Sequence, residues 1–286
     1  MIRVLCTPYH LGRPQEGMGA GPDRLLAAGA LERLRSAGHE VELVQVQVQR
    51  AFEHEVGAYF AVQDALAEET ARTVSMGAFP LILGGNCGCV LGAVAGLGPG
   101  ASSGVVWFDA HGDANTPDTT ESGFLDGMPV AILTGRCWAN LASSIHGFSA
   151  LPSDRLLLAG VRSIDQHERE LIDTAGIPLV DPAGLQRADD NPFTRALADL
   201  ALLVPSVHVH IDLDVIDPQD GIANEFATGD GPPLEALAAA IAEVGRAIPV
   251  NSLSLTSYNP AYDTDGRAGR SALRLLDSLA ALVPAP

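Results

Sequence analysis

The sequence predicts an α/β protein of three layers, with a mostly parallel central sheet between two layers of helices. Three observations carry this. Short apolar, β-branched runs alternate with longer segments of helical period along the whole chain. Strand–helix alternation of that kind buries a parallel sheet on both faces. The most unusual polar residues stand just after the apolar runs, and such sheets bind ligands beyond the carboxyl ends of their strands.

Arg3–Thr7 reads as the first strand. Gly21–Ala37 follows as a helix, opened by Gly21-Pro22-Asp23 and closed at Gly38, the punctuation of a helix start and stop. Glu40–Val48 reads as a strand and Val56–Met76 as a helix ending at Gly77. Leu81–Leu83 is a buried strand, and a helix follows the turn Gly84-Gly85. Gly104–Asp109 and Leu156–Val161 are strands, Asp165–Ala175 a helix, and Ile177–Val180 and Val207–Leu213 strands again. The helix Leu234–Ala247 leads to a strand at Ser252–Thr256, and the last helix is Arg267–Leu282. No repeat, low-complexity tract or linker interrupts the pattern, so residues 1–286 read as a single domain.

Composition narrows the partners. Of 286 residues, 47% are hydrophobic and 18% charged, as in a compact enzyme rather than a disordered chain. The formal net charge of -18 repels phosphate backbones and anionic membrane surfaces, which argues against nucleic acid and membrane partners. Most of that charge reads as surface solubility, and clustered metal-holding carboxylates would account for the rest. Cys6, Cys87, Cys89 and Cys137 are spaced as neither a disulfide framework nor a four-cysteine zinc site. The apolar run at Met1–Cys6 is too short for a secretory segment, and no stretch approaches a membrane span, so the expected compartment is the cytoplasm.

Two segments carry the chemistry. An apolar run enters Asp109-Ala110-His111-Gly112-Asp113, and the alternating run Val207-His208-Val209-His210-Ile211 delivers Asp212 and Asp214. Residues two apart on a strand share a face, so Asp109 with His111, and Asp212 with Asp214, can aim at one point. Carboxylates converging there would raise each other's pKa, and a divalent cation removes the conflict. Oxygen donors with few imidazoles suit manganese or another hard to borderline ion. Taken singly, Asp109-x-His111 reads equally well as a cap or loop contact. Asp217-Pro218 reads as turn chemistry, and His208 and His210, among apolar residues, read as core or supporting groups rather than ligands.

On these residues the chain resembles the arginase, agmatinase and formimidoylglutamase superfamily. The likeness runs from Gly17-Met18-Gly19-Ala20-Gly21-Pro22 through Leu83-Gly84-Gly85-Asn86-Cys87, the two acidic motifs, and Ser257-Tyr258-Asn259-Pro260-Ala261-Tyr262-Asp263. It implies an arginase-like fold and a homo-oligomer, trimeric or hexameric, acting on a small molecule. It also implies two manganese ions, with zinc, iron, cobalt and nickel as alternatives. Asp109 and Asp212 would bridge them, Asp113 would complete one, and His111 with Asp214 the other. The metals would activate a hydroxide to attack a planar carbon bonded to nitrogen. Asn115, Ser122 and Asp165 match positions that hold an amino-acid tail.

Four departures from that pattern bear on function. Cys87 stands where the family has a metal-binding His; it reads as a thiolate ligand or as a buried, inert thiol beside a weakened site. Asp126 replaces a His that shuttles protons, and reads as an acid–base group or a plain loop carboxylate. Ser257 replaces a Glu that pairs with the guanidinium, so a plain guanidinium is disfavoured. Phe124 sits in the substrate loop and narrows it. Cys87, with Asn115-Thr116-Pro117-x-Thr119-Thr120-x-x-Gly123, is similar to the branch that hydrolyses Nω-hydroxy-L-arginine, although that branch keeps the Glu. The leading expectation is a hydrolase of a linear C–N bond in a guanidino, hydroxyguanidino or amidine-like compound. A catalytically weak paralogue that binds a metabolite or serves as a partner subunit, and a mononuclear amidohydrolase using the His111 side, are the alternatives.

Overall fold

A computed structural model describes residues 1–49, 52–98, 102–187 and 191–284. Among these, eight strands form one sheet: β1 (Ile2–Thr7), β2 (Val41–Gln45), β3 (Phe79–Gly84), β4 (Gly104–Phe108), β5 (Leu156–Ala159), β6 (Leu179–Val180), β7 (Val207–Asp212) and β8 (Val250–Thr256). Their order across the sheet is β2-β1-β3-β8-β7-β4-β5-β6, and every pairing is parallel. The chain builds outward from β1, crosses to β4, and returns to insert β7 and β8 in the middle. The central strands β3, β8, β7 and β4 therefore lie side by side although they are distant in sequence, and their carboxyl ends open together at the reversal of strand order.

Helices cover both faces, and the period of two along each strand sorts the core between them. On β4, Val106 and Phe108 pack with Leu25, Leu34, Phe193, Ile241 and Leu276, contributed by helices of one face. Val105 and Trp107 pack on the other face with Tyr59, Phe60, Val90, Leu91 and Ile172.

Some features differ from the sequence-based expectation, among them the short helices Pro129–Leu133, Ala139–Ala142 and Pro182–Gln186, which were not expected. The expected helix over 21–37 is two helices, Gly21–Ala27 and Ala30–Ser36. Gly29 between them holds φ 96°, a left-handed conformation that ends a helix and that glycine adopts without steric cost. A further helix, Pro192–Leu203, was not expected. Asn191 caps it by accepting hydrogen bonds from Phe193 N and Thr194 N, and Pro192 pre-sets its first turn.

Candidate metal centre

The turn after β3 is forced close to its surroundings by glycine. A side chain at Gly85 would meet Tyr9 O at 2.1 Å, and one at Gly88 would meet the Tyr59 hydroxyl at 1.9 Å. Between them, Asn86 and Cys87 are pressed over the strand ends. Asp126 fixes this turn. Its Oδ2 accepts from Asn86 Nδ2 at 2.7 Å and Cys87 N at 3.0 Å, and its Oδ1 accepts from Gly88 N at 3.0 Å. The Cys87 thiol donates to Asp212 Oδ2 at 2.7 Å and lies 3.2 Å from Ser257 Oγ.

Asp109 follows β4. Trp107, two residues earlier on the same face, donates its indole N–H to Asp109 Oδ2 at 2.9 Å, while His111 N donates to Oδ1 at 2.7 Å. Asp212 ends β7, and its Oδ1 accepts from Asp214 N at 2.8 Å. Asn224 Nδ2 reaches both Asp214 Oδ2 and Ser257 O. The Arg162 guanidinium donates to carbonyls of Asp214, Val215 and Ile216 and to those of Thr228 and Gly229, tying the acidic turn to the loop that follows it.

Two donor groups emerge among the described residues. Ligating atoms of Asp109, His111 and Asp214 lie within 4.8 Å of one another, and so do those of Cys87, Asp109 and His210. Asp109 belongs to both. Asp113 and Asp212 stand outside these two sets but line the same cavity of about 180 Å³, with Cys87, Asn115, Ser122, Phe124, Asp126 and Ser257. Phe124 and Phe226 form its mouth, their rings 5.1 Å apart.

Burial and mutual repulsion set the electrostatics. Burial pushes Asp109 up, and Asp113 and Asp212 well up, with neighbouring carboxylates adding to it. Burial also raises Cys87, and so do Asp212, Asp113 and Asp109 around it, so the thiol keeps its proton in the absence of a cation. Burial opposes charge on His111, but Asp109 and Asp214 overcome it and push the imidazole up to about 12. Burial pulls His210 well down and keeps it neutral. Asp214 Oδ1 and His210 Nε2 are buried without a hydrogen-bond partner. Buried acceptors are rarely left so. Crowded carboxylates, a neutral imidazole, a thiol and orphaned acceptors fit a pair of divalent cations, which would supply the missing partners and the missing positive charge.

The structure brings Cys87, His111, Asp113, Asn115, Ser122, Asp126, Asp212, Asp214 and Ser257 to the wall of one cavity, and Asp109 is fully buried beside it within both donor groups. Asp165 is not part of that wall. It caps the helix Gln166–Ala175, and its Oδ2 accepts from Asn115 Nδ2 at 2.8 Å, which orients the amide. Asp217 behaves as turn chemistry, accepting from Gln219 N and Gly231 N. His208 is core, with both ring nitrogens on Ser252 and Ser254. Sequence reasoning gave no role to Trp107, Asn224, Phe226 or Glu168. Trp107 carried a readable signal, its strand parity with Asp109. So did Glu168, three residues after its cap Asp165.

Glu168 spans the cap and the metal loop, accepting from Asp165 N at 3.2 Å and Ala114 N at 3.1 Å. Glu168→Ala leaves both donors unpaired and is expected to cost about 2 kcal/mol. The denaturant midpoint measures this, and Glu168→Gln, which keeps one acceptor oxygen, should recover part of it.

The arginase family model matches residues 1–281. An arginase of Bacillus caldovelox is 31% identical over 295 residues, covering 97% of each chain. Its solved structure superposes with a TM-score of 0.88 at 28% identity, again over 97% of both chains. The arginase structure from Bacillus subtilis gives 0.88 at 27% identity over 98% of both. The parallel sheet, the acidic strand ends and these likenesses agree, and the chain belongs to the arginase family, binuclear metal-dependent hydrolases of ureohydrolase type that cleave guanidino C–N bonds.

Proposed function

We propose that this protein hydrolyses a guanidino-type substrate less basic than L-arginine, with a hydroxyguanidine as the favoured class and two manganese ions as cofactors. The observation that carries the reading is Ser257. It is buried in the cavity wall with its hydroxyl against Cys87, and it offers a neutral hydrogen bond where the family resemblance puts a carboxylate.

Asp109, His111 and Asp214 would hold one cation; Cys87, Asp113 and Asp212 would complete the other with Asp109. Bound there, the cations supply the charge that polarises the planar carbon and lowers the pKa of attacking water. The chain's own residues do the rest. Asn115, steadied by Asp165, and Ser122 orient the polar tail at the mouth. Phe124 and Phe226 exclude water behind it. Asp126, raised by burial to about 7, holds a proton on its carboxyl within the cavity and can deliver it to the leaving amine near neutral pH. The resemblance further supports one catalytic domain over residues 1–286 in a trimeric or hexameric homo-oligomer. The four cysteines are free thiols, in keeping with a reducing compartment such as the cytoplasm.

A steady-state comparison of L-arginine, agmatine and Nω-hydroxy-L-arginine tests the reading. A desolvated charge-assisted pair contributes about 3 kcal/mol, so its absence should disfavour the two cationic substrates by roughly a hundredfold. Ser257→Glu should raise activity on L-arginine. Ser257 already holds φ 65°, so the variant inherits the same backbone conformation. Efficient hydrolysis of L-arginine by the wild type would refute the charge argument.

A further inference from the structure

We propose that His210 is a metal ligand, donating Nε2 to the cation held on the Cys87 side. The inference rests on the two-cation reading above and adds to it a donor from β7.

Strand period places His208, His210 and Asp212 on one face of β7, opposite Ser252, Ser254 and Thr256 on β8. Such a polar ladder is unusual in the middle of a parallel sheet buried on both faces. His210 is fully buried, and a ring nitrogen lies within 4.8 Å of both Cys87 Sγ and an Asp109 carboxylate oxygen. Its Nδ1 is engaged by Ser254 Oγ at 2.7 Å, and Nε2 has no partner. The free nitrogen is thus the one available to the donor group. Trp107 fixes the arrangement from β4: its ring lies 4.3 Å from that of His210, while its N–H holds Asp109.

The ladder also explains the tautomer. With Nε2 donating its lone pair to a cation, Nδ1–H donates to Ser254 Oγ, whose own proton goes to His208 Nε2 at 2.9 Å. His208 Nδ1–H then donates to Ser252 Oγ at 2.7 Å, and Ser252 donates to Asn251 Oδ1 at 3.3 Å. Every polar atom in the series is satisfied only when Nε2 has an acceptor of its lone pair. Metal-binding imidazoles usually anchor their second nitrogen in this way. Cys87 is shorter than an imidazole, and His210 brings an imidazole to the same donor group from the neighbouring strand. On binding, the Cys87 thiol releases its proton to solvent. A sulfur–nitrogen pair makes this side softer than the oxygen-rich set of Asp109, His111 and Asp214, so manganese would be held less tightly here.

The test loads protein containing 15N-labelled histidine with 113Cd2+ and counts cadmium-coupled imidazole nitrogens by NMR. Two are expected, from His111 and His210, and His111→Gln should remove one. In a companion titration, His210→Gln is expected to weaken one of the two cations at least about tenfold. Cadmium bound with coupling to His111 alone overturns the inference while leaving the metal centre intact. No bound cadmium overturns the two-cation reading together with this one.

Discussion

Asp212→Ala is expected to empty the metal centre and to lower turnover by about a thousandfold or more. Asp212 ends β7 with one oxygen against the Cys87 thiol and the other held by Asp214 N, so it links the turn after β3 to the acidic turn after β7. Its removal deletes a carboxylate from the cation cavity and loosens Asp214 at once. Bound cations supply several kcal/mol of transition-state stabilisation, and each 1.36 kcal/mol is tenfold in rate. Metal content of the purified protein is the direct readout. Asp217→Ala is the matched control. That carboxylate, from the same acidic segment, accepts two hydrogen bonds as well, from the N–H groups of Gln219 and Gly231, but it does not line the cavity, so metal should be retained. Equal metal content in wild type and Asp212→Ala would remove Asp212 from the centre.

The chelated protein is expected to lose stability as pH rises, and the metal-loaded protein is not. Burial raises Asp126 from its ordinary 3.8 to about 7. A carboxyl raised on folding contributes stability that is present below its unfolded value and is lost as pH climbs through the folded one. For Asp126 alone the difference is about 4 kcal/mol. Asp109, Asp113 and Asp212 are raised as well and act in the same direction. His111, held up at about 12, adds to the loss above its ordinary 6.5. Asp214 has the opposite sign: burial raises it, but the hydrogen bond and charge of His111 together with the hydrogen bond from Asn224 outweigh burial and lower it, so its contribution fails only in acid below 3.8. Melting in chelator should therefore show a falling midpoint between about pH 4.5 and 8. Added Mn2+ should raise the midpoint most at the upper end, because binding displaces protons. A flat or rising profile in chelator would contradict the buried, crowded carboxylates.

Much of this was legible in the sequence, because strand period and glycine punctuation are local properties. The strand ends at Asp109 and Asp212 came from such patterns. Asp214 converges with Asp212 for a different reason: it sits in a tight turn whose N–H is held by the Asp212 carboxylate, not on the strand itself. The helix Pro192–Leu203 was not expected, although its signals stand in the sequence: the cap Asn191-Pro192 and the helical spacing of buried Phe193, Leu197 and Leu200 with polar residues between them. The proximity of Cys87 to His210 was not legible. It depends on β8 lying between β3 and β7, and strand order is a global property that one sequence does not display. Asn224 and Phe226 sit in an aperiodic loop and were invisible for the same reason, their neighbours being brought to them by Arg162 and the acidic turn.

The sharing of Asp109 between the two donor groups has a thermodynamic consequence. An ion on the His111 side and an ion on the Cys87 side would draw on one carboxylate, so neither would have an affinity of its own. Whatever factor the first occupant imposes on the second, the second imposes on the first. Exchanging the metal on one side must then change the dissociation constant on the other. The two ions would form a single linked equilibrium, in which a mixed-metal state would have an affinity that neither homometallic state reveals.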